Sequence, residues 1–230
     1  PLPDGCYLVA DTENTLRQRM KSDEGYMRSY CKNRFYTGSD IAAKLWVGDY
    51  QNGDSFHDLA KDAGGIRRLA VLRADIDNLG QAFVSGFESE KHGQKYVTLS
   101  RTATFSRKLA LLQEGEYSLH VNDEAGPRKA TIAYSGGDDV FIIGAWDDII
   151  GFAVDLNDSL SDYAQGTLTI SAGIGIYPEK YPVAAMARQT GELEDASKAY
   201  PGKNAVTLFD KDSTYSWDEF INGVLAEKYE

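Results

Sequence analysis

The chain is poor in the residues that build sulfur and imidazole sites. It has two cysteines and three histidines in 230 residues. Cys6 and Cys31 show no metal-ligand spacing; a disulfide between them stays open but has no support in the sequence, and a reduced setting is expected. His57-Asp58 spells the start of an HD-type metal phosphohydrolase, but that chemistry needs further histidines at helical spacing, and His92 and His120 lie far away. An amphipathic helix around His57 is the plainer reading. No apolar run is long enough for a membrane span and no signal peptide is visible, so a cytoplasmic location and no membrane partner are expected. Basic residues are outnumbered, 24 Lys and Arg against 35 Asp and Glu, for a net charge of −11. Phosphate affinity comes mainly from Lys and Arg, so this chain is a poor general nucleic-acid binder. Any RNA contact is expected to come with help from other subunits or domains. Internal repeats and low-complexity segments are also missing. The opening Pro1-Leu2-Pro3 has no methionine and reads as an excised or processed piece.

What the chain does have is enough apolar residue, 42% hydrophobic and 11% aromatic, for one sizeable core with a small appended unit. Its most informative stretch is Tyr134-Ser135-Gly136-Gly137-Asp138-Asp139-Val140. Apolar, β-branched runs flank it on both sides, 130–134 and 140–143, so it reads as two strands joined by a tight Gly-Gly turn. That hairpin places two carboxylates at its tip. Upstream, the strand-like run 69–74 ends in Asp75-Ile76-Asp77-Asn78-Leu79-Gly80. If the two strands are neighbours, Asp75, Asp77, Asp138 and Asp139 converge. Two unit charges about 4 Å apart repel by roughly 4 kcal/mol at an effective dielectric near 20, so such a cluster calls for a counter-charge. Carboxylate oxygens around an open site suit Mg²⁺ or Mn²⁺, and two such ions fit phosphoryl or nucleotidyl transfer.

A strand followed by Asp-x-Asp-Asn-Leu-Gly, then a Gly-Gly-Asp-Asp hairpin, resembles the palm domain of polymerases and nucleotide cyclases. Leu-Ala-Val-Leu-Arg-Ala-Asp-Ile-Asp-Asn-Leu-Gly, Tyr-Ser-Gly-Gly-Asp-Asp-Val-Phe and the late Gly-Lys-Asn-Ala-Val-Thr-Leu-Phe are closer still. They resemble the second palm domain of the large subunit of type III-A (Csm) CRISPR effector complexes. The resemblance covers roughly residues 66–210.

The rest of the chain is consistent with that. Short strands are expected at 6–10 and 41–47, with a polar stretch at 11–34 between them and a short helix at 56–60. After the first aspartates a helix starts at 81–84. A loop at 88–94, a helix at 96–112 and a loop at 115–129 with a short strand at 117–121 follow. Asp147 is expected to cap a helix ending at Gly166, which gives the Asp147-Asp148 pair a cap and dipole role rather than a catalytic one. Asn157-Asp158-Ser159 matches a glycosylation acceptor and reads as ordinary helix surface. A central strand at 168–176, a helix at 183–199 opened by Pro182, a strand at 205–209 and a capped helix from Ser216 to about 228 complete the pattern. The fold class is α+β: a ferredoxin-like palm, βαββαβ plus αβ, with a small N-terminal appended region. The expected domains are residues 1–65 as the appended region, 66–212 as the palm, and 213–230 as a helix leading to an absent domain.

Asp75, Asp138 and Asp139 are the expected catalytic residues and metal ligands, with the Ile76 carbonyl as a further metal contact. Asp77 shares their face only if the strand continues past Ile76. The turn after the first strand, Asp77, Asn78, Leu79 and Gly80, offers backbone N–H groups to phosphates. Ser135, Gly136 and Gly137 line the other side. Diguanylate cyclases, more distantly similar, hold phosphates with a Lys and a second basic residue at the positions of Lys198 and Lys203, the latter one residue further along here. They read guanine partly with an Asn where this chain has Phe83, which fits ATP instead. The resemblance thus implies a Mg²⁺- or Mn²⁺-dependent nucleotidyltransferase making cyclic oligoadenylates from ATP, switched on by target RNA. Its implied partners are a first palm and other domains of the same subunit, other effector subunits, and guide and target RNA. A stand-alone cyclase using GTP and a non-catalytic palm used as an assembly scaffold stay open as alternatives.

Overall fold

The computed structural model describes residues 12, 14, 15, 18, 28–32, 41–45, 51–61, 63–85, 128–136 and 138–226. The chain divides into two compact units, Pro1–Trp46 and Val47–Glu230. In the first, β1 (Arg28–Lys32) and β2 (Ile41–Leu45) pair in parallel. The expected strand at 41–47 is β2. β1 arises inside the stretch read as merely polar, because Arg28 and Lys32 at its ends mask the strand-forming Tyr30-Cys31 between them. The calls at 6–10, 88–94, 96–112 and 117–121 lie outside the described residues.

The second unit is built on a six-stranded sheet in the order β4-β5-β3-β6-β7-β8. Its elements begin with α1 (Phe56–Lys61), β3 (Leu69–Ile76) and α2 (Leu79–Ser85), followed by the hairpin β4 (Ala130–Gly136) and β5 (Asp139–Ala145). Then come α3 (Trp146–Ala164), β6 (Ile170–Tyr177), α4 (Val183–Ala199), β7 (Ala205–Leu208) and β8 (Thr214–Ser216). The chain then turns through α5 (Trp217–Glu219) into a wider π-helix, Phe220–Leu225. From β3 to β7 this is the expected βαββαβ plus αβ. β8 is an addition, pairing antiparallel with β7. The segment 51–61 and the C-terminal turn also pack onto this sheet, on either side of the stretch 66–212. Asn52 donates to the Ala130 carbonyl at 2.9 Å, and the Trp217 indole N–H donates to the Ile170 carbonyl at 2.8 Å.

The period of two along β3 sorts its side chains onto two faces. Ala70, Leu72, Ala74 and Ile76 join the larger core, which α3 supplies with Ile149, Ile150, Phe152, Ala153, Leu156 and Leu160. Leu69 and Val71 point the other way, into a smaller cluster with Leu59, Ile143, Tyr177 and Met186. Burying each such aliphatic side chain contributes about 1.5–3 kcal/mol. Continuing the same alternation, Arg73 and Asp75 fall on the face that α4 covers. The core therefore leaves the end of β3 facing a helix rather than solvent.

Two local expectations are corrected. Asp147 is inside α3, not its cap. β5 runs straight into the helix, so Ala145 takes the cap position, and the Asp147 carboxylate instead accepts the Gly64 N–H at 2.8 Å. The hairpin turn is centred one residue later than Gly136-Gly137. Gly136 pairs with Asp139 across the two strands, so Asp138 is in the turn and Asp139 is already in β5. A bulge at Ala133 shifts the register between Ile132 and Tyr134. This makes neighbouring Ala133 and Tyr134 both exposed and returns Ser135 to the interior, 5% exposed. Pro182 takes the cap position of α4, and Ser216 and Glu219 form the reciprocal capping box that their spacing predicts.

Candidate metal and nucleotide site

The site assembles at the C-terminal end of β3 because both its neighbours are antiparallel to it. Asp75 lies directly across from Asp139 on β5 and from Ser171 on β6. The Ile76 N–H donates to the Asp138 carbonyl at 3.2 Å, which ties the hairpin tip to the strand end. Asp75, Asp138 and Asp139 are thus brought together, as their two motifs predict.

A fourth carboxylate, which neither motif announces, joins them. Glu194 of α4 is 3% exposed, and carboxylate oxygens of Asp75, Asp139 and Glu194 lie within 4.8 Å of one another. In Glu192-Leu193-Glu194-Asp195, three acidic residues in four, Glu194 looks like helix surface. Its one signal is Lys198 four residues on, the spacing of an ion pair on a helix face. α4 reaches the site because Gly173 of β6 is a notch. A Cβ there would overlap the Glu194 backbone nitrogen and lie 2.7 Å from the Thr190 carbonyl oxygen.

Two cations answer these carboxylates. Lys198 Nζ is 3.0 Å from Asp75 Oδ2 and 2.7 Å from Glu194 Oε1. Arg73 Nε is 3.0 Å from Glu194 Oε2. Burial still pushes the Asp75 carboxyl up to about 6; Lys198 pulls it down, and the charges of Asp138 and Asp139 push it up again. Burial works against the charge on Lys198 too, but Glu194 and Asp75 outweigh it, so that its ammonium is held above its ordinary range. The net rise comes first from burial, which takes the carboxylate out of water while Asp138 and Asp139 stand beside it. Carboxylate oxygens from β3 and from the β4–β5 hairpin, set side by side at a half-buried strand end, fit a hard divalent cation. Ile76, at the very end of β3 and paired with Ile170, is placed beside this cluster.

Asp77 sits apart from it. Its side chain is buried and accepts from Thr169 Oγ1 and Ser171 Oγ, each at 2.8 Å, and from the Asn204 N–H at 3.1 Å. Its donors are those of a structural hub between β3, β6 and the turn before β7. Asn78 adopts a left-handed backbone, φ 56°, and its carbonyl starts α2 by accepting the Ala82 N–H at 3.0 Å. Leu79 is in the core, while Gly80 is exposed with open space where a side chain would stand. Lys203 Nζ donates to Asn78 Oδ1 at 3.0 Å. The turn 202–204 is left-handed throughout, Gly202 at φ 87°, Lys203 at 58° and Asn204 at 51°, a conformation that costs an ordinary residue roughly 1–2 kcal/mol. The described geometry thus brings Asn78 and Lys203 together at one side of the aspartates. Gly137 and the side chain of Phe83 lie outside what is described. His57, in turn, is exposed and pairs through Nδ1 with Glu179 Oε2 at 2.9 Å.

Among the described residues no helix is long and apolar enough to cross a membrane. Residues 68–207 match the family described as Cas10/Cmr2, second palm domain. Over its whole length the chain is 47% identical to the protein of Mycobacterium tuberculosis named CRISPR system single-strand-specific deoxyribonuclease Cas10/Csm1 (subtype III-A), and it spans 29% of that relative. It is similar to the solved Csm1-Csm4 cassette in complex with cA3, with TM-score 0.69, 26% identity, and coverage of 86% of this chain and 32% of that one. The same cassette in complex with one ATP matches with TM-score 0.68 and 26% identity, over 86% of this chain and 31% of that chain.

Proposed function

The chain belongs to the Cas10/Cmr2 second palm domain family, of the type III-A CRISPR kind, and on that premise we propose that it is a nucleotidyltransferase palm making cyclic oligoadenylates from ATP. The observation that carries the reading is Asp75 set opposite Asp139 at the hairpin tip, their carboxylate oxygens close together at a half-buried strand end. Similar Csm1-Csm4 structures hold ATP in one case and cA3 in another, which supports adenine as the base.

In the proposed step the 3′-hydroxyl of one ATP attacks the α-phosphorus of another. The hydroxyl gives up its proton to water, a new P–O bond forms, the bond from the α-phosphorus to the α,β-bridging oxygen breaks, and pyrophosphate leaves. Asp75, Asp138 and Asp139, with the Ile76 carbonyl, would hold Mg²⁺ or Mn²⁺, which when bound activates the attacking oxygen and stabilises the leaving one. Lys198 and Lys203 supply positive charge to the phosphates. Asn78, Gly80 and the backbone of Ser135 and Gly136 shape the approach, and Asp77 and Leu79 hold that wall in place. The chain spans about a third or less of the relatives it matches. The second ATP is therefore assigned to a first palm, and activation to target RNA bound by the assembled complex, which works in the cytoplasm. The 230-residue chain alone is expected to turn over ATP poorly. The deoxyribonuclease in the relatives' name we assign to other parts of those longer proteins.

The test is incubation of the full-length subunit, assembled with its partner subunits and target RNA, with ATP and Mg²⁺, followed by mass spectrometry of the products. Cyclic oligoadenylates that disappear in Asp75→Ala and Asp139→Ala support the reading. Turnover of GTP and not ATP would replace it with a GTP cyclase. Normal assembly without metal-dependent nucleotide binding would make the palm a scaffold.

A further inference from the structure

This inference rests on the reading that the carboxylate cluster takes a divalent cation. We propose that Lys198 is the resident counter-ion of that cluster, standing against Asp75 until a divalent cation takes its place, and that buried Glu194 is the positioning residue that keeps the displaced lysine at the site. The ammonium lies between two carboxylates, 3.0 Å from Asp75 Oδ2 and 2.7 Å from Glu194 Oε1. The two carboxylates differ in what else they hold. Both oxygens of Glu194 are committed to cations, one to Lys198 and one to Arg73. Asp75 has Lys198 as its ion-pair partner, yet faces the negative charges of Asp138 and Asp139. A cation entering between Asp75 and Asp139 therefore competes with one lysine contact at Asp75, while the Glu194 contact can persist. Lys198 keeps a third of its side chain exposed, 31%, on a flexible four-carbon stem. It can turn about Glu194 toward incoming phosphates without leaving the site.

Charge accounting agrees. Asp75, Asp138, Asp139 and Glu194 carry four negative charges against the two positive charges of Arg73 and Lys198. The remaining two are balanced by one divalent ion with Lys198 still at hand. Were Glu194 absent as an anchor, Lys198 would have Asp75 as its remaining carboxylate, and entry of the cation would have to break that pair outright. Glu194 thus acts through Lys198 rather than by ligating the metal.

The test measures Mn²⁺ binding without nucleotide on the full-length subunit, by titration followed with electron paramagnetic resonance. It compares wild type, Lys198→Gln, Glu194→Gln, the double variant, Asp75→Asn and Lys211→Gln, with thermal melting as the folding control. Lys211 pairs with Glu192 on α4 at 2.9 Å, so its substitution removes the same charge without touching Asp75. Lys198→Gln is expected to bind Mn²⁺ about five-fold more tightly than wild type, the size of one modest ion pair. Glu194→Gln is expected to bind several-fold more weakly, and that loss should vanish in the Lys198→Gln background. Lys211→Gln should match wild type. An unchanged or weaker affinity in Lys198→Gln overturns the proposal, as does an equal gain in Lys211→Gln. An equal Glu194→Gln loss in both backgrounds would make Glu194 a ligand and overturn its positioning role. If none of the variants binds Mn²⁺, the metal reading falls as well. Binding that Asp75→Asn abolishes, with no gain in Lys198→Gln, overturns this inference alone.

Discussion

Strand β3 has two ends built for opposite purposes. At its start, Leu69 and Val71 meet Leu59, Ile143, Tyr177 and Met186, and the helix α1 closes over them. At its finish, Arg73 and Asp75 on the same face meet Glu194 and Lys198. α4 spans both ends, with Met186 over the first and Lys198 over the second. One end stabilises the sheet by removing apolar surface from water. The other crowds like charges that an uncharged core would avoid, and an unstable carboxylate cluster of this kind marks a place where a ligand supplies what the fold does not. The difference teaches where to look for function along a single strand: where the alternation of β3 stays in register but its chemistry changes.

The sharpest way to break the comparison is at the charged end. Asp75→Asn with Asp139→Asn is expected to lower oligoadenylate formation by at least about 10³-fold in the assembled subunit. Relief of repulsion should leave the melting temperature unchanged or slightly raised, so a protein that melts much earlier would show the cluster to be structural. At the apolar end the pattern reverses. Leu69→Ala should destabilise by about 2–5 kcal/mol in a denaturant titration, with Mn²⁺ affinity of the folded protein unchanged. A matching loss of metal binding would show the two ends to be coupled through β3. Between the ends, Asp77→Ala orphans two hydroxyls and one backbone N–H, and is expected to cost about 2–4 kcal/mol. Its effect on ATP affinity should come through the turn at Lys203, visible as a weakened KM with kcat less affected. A smaller effect on metal binding is expected at the notch. Gly173→Ala sets a Cβ against the α4 backbone, so the helix must lift off β6 at a cost of about 3 kcal/mol or more, and Lys198→Gln should then no longer raise Mn²⁺ affinity.

Much of this site was legible from local sequence. Asp75 and the Gly-Gly-Asp-Asp hairpin announce themselves because strand periodicity and turn chemistry act over a few residues. Their register, Asp75 against Asp139, then follows from antiparallel neighbours. Glu194 was not legible. Its role depends on how closely a helix packs on a strand twenty residues earlier, and that closeness is set by the missing side chain of Gly173. Two residues past Asp75, Asp77 shares its face only if the strand continues. The strand ends at Ile76, so proximity in sequence no longer meant a shared surface, and Thr169, Ser171 and Asn204 took its carboxylate. The bulge at Ala133 and the strand β8 escaped for a similar reason: both are decided by pairing partners rather than by the residues themselves.

The hub at Asp77 has a consequence for timing. The turn 202–204 holds Lys203 and Asn204 in a backbone shape that a free chain visits rarely, and Asp77 fastens it to the sheet through the Asn204 N–H. Conformational entropy is therefore surrendered during folding, not at the moment of encounter. Under the proposed function, a triphosphate arriving at this corner would meet a lysine whose backbone is already set, and its capture would be governed by diffusion and charge rather than by waiting for a loop to close.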